Sequence, residues 1–400
     1  MHAMPSRALL ALALVFACPA LAAQDPPIAI DTHVDIPLNY MREPRFDAGG
    51  HSVLQVDLDK MRQGGLDAAF FIIYVEQGPL TDKGYARAMA QAARKYDDID
   101  LMLKRYPARI RLARTPDEVM ANKAAGRLSA MIGIENGYSL GHRINNLDAA
   151  FERGARYIGL THVGNNDLCS SSMPTADLGD PPITDTGLTD FGREVVKRAN
   201  RLGIMVDISH SSDACVRDVL ALSTAPIIAS HSAAHALVNH PRNLPDDLLR
   251  AIGAKGGVVQ VVAYKGFLKL DPGRELAEKA LQAQVARQAG DKRYDSEKHD
   301  YLPAYIAGMK AIDVRFPLPT LEDYVAHIRH VADVAGIDHV GIASDFDGGG
   351  GIDGWADATQ TRQVTEALRK HGFSDADIAK LWGGNLLRMW RAVDDKATAP

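Results

Sequence analysis

Histidines that could bind a metal end two neighbouring apolar runs of this sequence. The run that begins at Ile204 ends in His210, and the run that begins at Pro226 ends in His231. A helical stretch separates the two runs, so together they predict a βαβ unit with parallel strands. Because ligands collect at the carboxyl ends of strands in α/β folds, we expect both imidazoles at one functional edge.

Residues of the same chemical kinds end other predicted strands. Asp35 follows His33 by two positions, so both side chains project from one face of the first strand. A single buried histidine is more often a hydrogen-bonded core residue than a ligand. Four histidines with three carboxylates exceed what packing explains, because buried unpaired charges are costly. These residues are His33, Asp35, Glu135, His162, His210, His231 and Asp345.

The chemistry that these residue types favour is metal-assisted hydrolysis. Nitrogen and carboxylate ligands without thiolates indicate a catalytic zinc site, with manganese, cobalt and iron as alternatives. The ligands outnumber those that one catalytic zinc takes from a protein, so two ions that share a carboxylate fit better. Such a pair of ions lowers the pKa of a bridging water toward ~7 and gives a hydroxide nucleophile at neutral pH.

Eight strand-like runs alternate with helical segments, which predicts a single (β/α)8 TIM-type barrel. The strands are expected at 28–35, 66–75, 129–137, 156–162, 204–210, 226–232, 256–264 and 339–348. A doubly wound open sheet would alternate in the same way, but no glycine-rich phosphate turn follows the first strand. Residues 265–319 interrupt the alternation with charged, alanine- and glutamine-rich helical sequence. We expect a helical insertion there, between strands seven and eight, that forms a lid or a homodimer contact.

Composition and the amino terminus bear on compartment and partners. The 400 residues are 46% hydrophobic with a formal net charge of −5, which gives no support for nucleic acid binding. Arg7 and the apolar run 8–17 predict a signal peptide over residues 1–23, which leaves one catalytic domain over 24–400 in the periplasm or outside the cell. The run is too short to span a bilayer, and no transmembrane segment is predicted after it. A lipoprotein anchored through Cys18 is the alternative.

Two cysteines remain after the signal peptide is removed. Cys169 and Cys215 are both expected just beyond strand ends on the same face of the barrel. They could pair in an oxidising compartment, but their spacing alone does not decide whether they do.

Several stretches of the chain resemble the membrane (renal) dipeptidase family of zinc metallopeptidases. They follow the family's order over nearly all of the mature chain, at 31–37, 133–137, 159–162, 187–196, 201–210, 230–232, 241–248, 344–348 and 384–388. The resemblance implies a (β/α)8 barrel, in agreement with the strand pattern. It also implies a dipeptidase with two Zn²⁺ per chain and dipeptides as substrates.

The resemblance further implies roles for single residues. His33 and Asp35 match ligands of one zinc, and His210 and His231 match ligands of the other. Glu135 matches the carboxylate that bridges the two ions.

Four residues match positions that act on the substrate. His162 would contact the carbonyl or the tetrahedral intermediate, and Asp345 would shuttle the proton. Arg242 would bind the free carboxylate of the peptide with its bidentate fork, which limits substrates to dipeptides. Tyr74 matches a substrate-contacting tyrosine. Structural roles are expected for His235, His240, Asp347 and Asn385.

Two other protein classes stay open at this point. An amidohydrolase-type lactonase or phosphotriesterase shares the barrel and two metals, but usually begins with His-x-His and uses a bridging lysine after its fourth strand. This chain has His33-Val-Asp35 and no such lysine. A periplasmic metal- or peptide-binding protein would not need a proton-shuttling acid such as Asp345. The sequence also leaves open whether a D-residue is accepted at the second position of a dipeptide.

Overall fold

The computed structural model describes residues 27–182 and 185–398, with a sheet of parallel strands at the centre of the molecule. The strands are β1 (Ile30–Asp35), β2 (Ala68–Tyr74), β3 (Ile110–Leu112), β4 (Leu128–Glu135), β5 (Ala155–Gly159), β6 (Met205–Asp207), β7 (Ile228–Ser232), β8 (Val258–Val262) and β9 (Val340–Ala343). Eight of them lie side by side in the order β1-β2-β4-β5-β6-β7-β8-β9, and β3 pairs with β4. The predicted signal peptide and Cys18 lie outside the described residues.

The ring of strands closes between its first and last members. Val34 in β1 forms a parallel bridge with Phe346, just beyond β9. The N–H of Asp35 donates to the carbonyl of Phe346 at 2.9 Å. The predicted (β/α)8 barrel is therefore confirmed, and each of its eight predicted strands coincides with an observed one. The short β3 was not predicted, because only Ile110 of its three residues is buried and it forms no apolar run.

Helices surround the barrel: α1 (Leu58–Gly64), α2 (Asp82–Arg105), α3 (Pro116–Ala124), α4 (Asn145–Glu152), α5 (Asp190–Leu202), α6 (Asp213–Leu222), α7 (Asp246–Ala254), α8 (Lys265–Leu268), α9 (Pro272–Gln288), α10 (Ser296–His299), α11 (Pro303–Arg315), α12 (Leu321–Ala335), α13 (Thr361–Lys370), α14 (Asp375–Ala379) and α15 (Asn385–Asp394). Thr81, Thr115 and Ser212 cap three of them, each accepting from a backbone N–H three residues on. Over the described part of the chain, no helix has the length and apolar character needed to span a membrane.

Two features between the barrel elements bear on the site. Helices α8 to α11 fill the stretch 265–319 between β8 and β9, where the helical insertion was predicted. A disulfide joins Cys169, in the long loop after β5, to Cys215 in the first turn of α6. The structure thus answers the question that the cysteine spacing left open.

Candidate active site

The five predicted metal ligands meet at the carboxyl end of the barrel. Oε1 of Glu135 lies 3.1 Å from Nε2 of His210 and 3.4 Å from Nε2 of His231. Oε2 of Glu135 lies 3.4 Å from Nε2 of His33. The same His33 nitrogen lies 3.5 Å from Oδ2 of Asp35. Oε1 of Glu135 therefore faces His210 and His231, whereas Oε2 faces His33.

His162 and Asp345 flank these five residues. Nε2 of His162 lies 3.9 Å from Oε1 of Glu135, and Oδ1 of Asp345 lies 3.8 Å from Nε2 of His33. Ligand-capable atoms within 4.8 Å of one another form three overlapping groups: His33–Glu135–His231, Glu135–His162–His210 and His33–Asp35–Asp345. These groups differ from the two ligand pairs that the resemblance implies. His33 and His231 were expected to bind different ions, but they belong to one group. Glu135 belongs to two of the three groups, as a shared carboxylate would.

The backbone departs from regular geometry where these residues lie. β1 shifts its register against β2 in the interval that contains His33, and β7 shifts against β8 in the interval that contains His231. Irregularities of this kind re-aim side chains near functional sites. His210 and Asp345 follow β6 and β9 with left-handed φ values of 67° and 60°. Such strain is held in place by surrounding structure and clusters at functional sites.

A tyrosine in the barrel interior orients the imidazole of His33. The hydroxyl of Tyr157 donates to the carbonyl of Thr32 at 3.1 Å, so it accepts from Nδ1 of His33 at 3.0 Å. Tyr157 therefore holds the proton on Nδ1 of His33, and Nε2 is the nitrogen that faces the carboxylates and would bind a metal ion.

A serine and an aspartate orient His231 in the same way. The hydroxyl of Ser230 donates to Oδ2 of Asp207 at 2.6 Å and accepts from Nδ1 of His231 at 2.8 Å. The backbone N–H of Ser230 and that of Ser209 donate to the other oxygen of Asp207. Sequence reasoning missed Tyr157, Ser230 and Asp207. Asp207 could have been noticed from the sequence, because it is a carboxylate in the otherwise apolar strand β6.

The residues present fit a divalent metal site. Nε2 of His33 is buried and has no hydrogen-bond partner among the described residues. Gly348 leaves room for the carboxylates, since a Cβ there would lie 2.1 Å from Oδ2 of Asp35 and 2.8 Å from Oδ1 of Asp345. Imidazole nitrogens and carboxylate oxygens without a thiolate are typical of catalytic zinc and related divalent ions.

Burial sets the protonation states of the site. It lowers the pKa of His210 and of His231 well below the usual range, so both imidazoles are neutral and able to ligate. Burial raises the pKa of Asp345, and the negative charges of Asp35 and Glu135 raise it further, against the opposing charge of His33. A cation bound among these carboxylates would favour their ionised forms.

A cavity of about 410 Å³ opens over the ligands and contains the residues predicted to touch substrate. The rings of Tyr74 and His162 pack with centroids 4.7 Å apart. Arg242 is 3% exposed, and its Nη2 donates to the carbonyl of His231 at 3.0 Å. Its Nε has no acceptor among the described residues. Burial lowers the pKa of Arg242 to about 10, so the guanidinium is charged at neutral pH.

The insertion supplies more of the cavity lining than the strand ends do. It is fastened to the barrel at Glu297, whose carboxylate accepts from Nζ of Lys95 at 2.5 Å and from the N–H of Leu38 at 2.7 Å. Lys95 is only 1% exposed, and its Nζ lies 5.3 Å from the ring centroid of Tyr74. The sequence predicted the insertion but not these contacts.

The residues expected to be structural make structural contacts. Asp347 accepts from the N–H groups of Gln55 and Val56. Asn385 donates to two backbone carbonyls, those of Ile337 and Val340. His240 and Asp347 also line the cavity.

Fold and site together define a metal-dependent hydrolase on a (β/α)8 barrel. The family model described as membrane dipeptidase (peptidase family M19) matches residues 20–399. The chain belongs to this family and is a metallo-dipeptidase. This assignment decides against the lactonase and binding-protein alternatives.

Individual relatives agree with the family. Dipeptidase verJ of Clonostachys rogersoniana is 30% identical over 361 residues, which cover 88% of this chain and 79% of the relative. The solved structure of the probable dipeptidase PvdM from Pseudomonas aeruginosa is 32% identical with a TM-score of 0.81, and the match covers 93% of this chain and 96% of that one. A metallopeptidase from Rhodobacter sphaeroides, 26% identical with a TM-score of 0.73 over 92% of this chain and 100% of that one, was solved with a phosphinate mimic of the dipeptide L-Ala-D-Ala.

Proposed function

We propose that this chain is a binuclear zinc dipeptidase that cleaves dipeptides, including those with a C-terminal D-residue. The observation that carries the metal count is the position of Glu135, whose Oε1 faces His210 and His231 and whose Oε2 faces His33. The absence of thiolates among the site residues favours zinc, with other divalent metals as alternatives. The L-Ala-D-Ala mimic bound by the Rhodobacter neighbour supports acceptance of a D-residue.

Five residues would hold the two ions. His33 and Asp35 would bind one ion, His210 and His231 would bind the other, and Glu135 would be shared between them. Two divalent ions at this position would supply an activated water and polarise the peptide carbonyl.

Arg242 and His162 bind the substrate. The guanidinium of Arg242, fixed by the carbonyl of His231, takes the free carboxylate of the dipeptide in a bidentate pair. Because Arg242 lies at a fixed distance from the metal ligands, only a dipeptide places its peptide bond at the metal site, and a longer peptide does not fit. Burial lowers the pKa of His162, so its neutral imidazole donates to the carbonyl oxygen as negative charge develops there. Tyr74 packs against His162 and holds its ring in place.

Asp345 moves the proton. Its carboxylate faces the cavity beside His33. Asp345 accepts a proton from the water and passes it to the leaving amine.

The function is tested with purified protein. It should release free amino acids from Ala-Ala and from L-Ala-D-Ala, lose this activity in a chelator and carry about two metal ions per chain. Arg242→Ala should chiefly raise KM, whereas Asp345→Asn should chiefly lower kcat. Metal-loaded protein that cleaves no dipeptide would contradict the function, and unchanged kinetics in either variant would contradict the role of that residue.

We further propose that the enzyme acts in the periplasm or outside the cell after loss of residues 1–23, and that it forms a homodimer. Amino-terminal sequencing of protein recovered outside the cytoplasm tests the first point. Light scattering of the purified protein tests the second.

A further inference from the structure

The outer wall of the cavity carries several carboxylates from the insertion, and most of them have partners. Glu278 pairs with Arg274 at 2.7 Å, and Glu275 pairs with Lys279 at 2.6 Å. Asp271 accepts from two backbone N–H groups at the start of α9. Glu297 pairs with Lys95. These four carboxylates therefore already have partners within the protein and stabilise the wall.

Among the described wall carboxylates, Asp300 has neither an ion pair nor a backbone N–H donor. No lysine, arginine or histidine nitrogen of the described residues lies within 4.0 Å of its carboxylate, which accepts a hydrogen bond from the hydroxyl of Tyr294. Burial raises its pKa to about 7, and only the charge of Lys265 opposes this rise. Lys265 itself lies 3.9 Å from Glu278. A partly desolvated carboxylate without a cation costs stability, so its place in a cavity wall indicates a ligand.

The position of Asp300 relative to the reacting groups suits a substrate side chain. Tyr264 also lines the cavity. Asp300 and Asp345 line this same cavity, so a substrate at the reacting groups has Asp300 in the surrounding wall. A cavity of about 410 Å³ also leaves room for a long side chain beyond a dipeptide backbone.

We infer that Asp300 forms a subsite for a cationic side chain of the dipeptide, an ammonium or a guanidinium. This inference rests on the proposed function and names a substrate class for it. Charge-assisted hydrogen bonds to a carboxylate that has no other cation favour a cationic side chain strongly over a neutral one of the same length. The enzyme therefore prefers lysine- or arginine-containing dipeptides to isosteric neutral ones.

The test compares lysine with norleucine, which has the same carbon chain without the ammonium. Values of kcat/KM are measured for Lys-Ala against norleucyl-Ala, and for Ala-Lys against Ala-norleucine, with Ala-Ala as the reference for dipeptidase activity. The zinc-loaded wild type should prefer lysine by at least about tenfold in one of the two positions. Asp300→Asn keeps an acceptor for Tyr294 and should bring that ratio close to one. Glu275→Gln makes the same chemical change on a paired wall carboxylate and should leave the ratio as it is.

Two results would overturn the subsite: a wild-type ratio near one at both positions, or a ratio that survives in Asp300→Asn. Failure of the proposed function is a separate result, namely no cleavage of Ala-Ala. In that case, calorimetry measures the affinities of Lys-Ala and norleucyl-Ala for the wild type and for Asp300→Asn. The ratio of the two affinities then tests the subsite in the same way.

Discussion

The cavity floor and the cavity wall are held in place in different ways. The floor consists of the strand ends that carry His33, Glu135 and His231, and backbone pairing in a parallel sheet, with register shifts at His33 and His231, positions these residues. The wall is the insertion, residues 265–319, and side-chain ion pairs such as Lys95–Glu297 fasten it to the barrel. The chemistry thus depends on a rigid scaffold, whereas the outer wall depends on a few replaceable contacts.

This difference separates the effects of substitutions. Changes on the floor should reduce metal binding and turnover while the barrel stays folded. Changes on the wall should alter substrate preference and local stability with little effect on the metal ligands.

The largest effect is expected at the centre of the floor. Glu135→Gln removes the charge that both ligand pairs face, so bound metal should fall and kcat/KM should drop by about 10³-fold or more. Metal analysis and dipeptide kinetics on the same preparation check this. Retention of both metal and activity would show that Glu135 is not shared by the ions.

A smaller effect is expected from the hydrogen bonds that support the floor. Ser230→Ala removes the acceptor of His231 Nδ1, and supporting contacts of this kind are worth about 10–100-fold in metal affinity. Ser232→Ala is the matched control, because the Ser232 hydroxyl is buried without a hydrogen-bond partner among the described residues. Competition with a metal indicator measures both variants. Equal affinities in the two would contradict the role of Ser230.

The junction of floor and wall should affect stability. Lys95→Met leaves the carboxylate of Glu297 without its cation and should lower the free energy of unfolding by about 2 kcal/mol, less than for a fully buried pair because Glu297 is partly accessible. Urea unfolding measures the loss. The double variant Lys95→Met with Glu297→Gln should recover part of it, since no unpaired charge remains.

The exposed pair Lys370–Glu322 offers the control for this substitution. Both side chains are about two-thirds exposed, so Lys370→Met should change the stability by less than about 0.5 kcal/mol. A Lys95→Met loss no larger than this would mean that the ion pair does not fasten the wall.

The stability of the protein should also depend on pH through Asp300 in the wall. The pKa of Asp300 is raised to about 7 from an ordinary value of 3.8, so the folded state keeps a proton that the unfolded state loses. The stability of the wild type relative to Asp300→Asn should therefore fall as the pH rises from about 4 to about 7, and then level off. Thermal melts of both proteins across this range would contradict the claim if the two curves ran parallel.

The same contrast explains how much could be predicted from sequence. The convergence of the floor residues was predictable because apolar runs that end in histidine or carboxylate mark strand ends, and strand ends meet in a barrel. The hydrogen bonds from His33 to Tyr157 and from Ser230 to Asp207 connect residues far apart in the sequence, so no local pattern reveals them. β3 was not predicted because a three-residue strand with one buried residue is too short to show the alternation of apolar and polar residues.

The wall was predictable only as helical sequence. Its charged residues resemble an ordinary solvated helix surface, and nothing in their spacing distinguishes Glu297, which reaches Lys95 on α2, from Asp300, which lacks a cation. The Cys169–Cys215 disulfide also depends on a tertiary distance that the spacing of the two residues does not give.

The central claim is that two ions share Glu135 at the floor of the cavity. Anomalous diffraction at the zinc edge, from crystals of zinc-loaded protein, tests it most directly. Two peaks are expected, one at His33 and Asp35 and one at His210 and His231, each in contact with one oxygen of Glu135. A single peak, or two peaks that do not both contact Glu135, would contradict it.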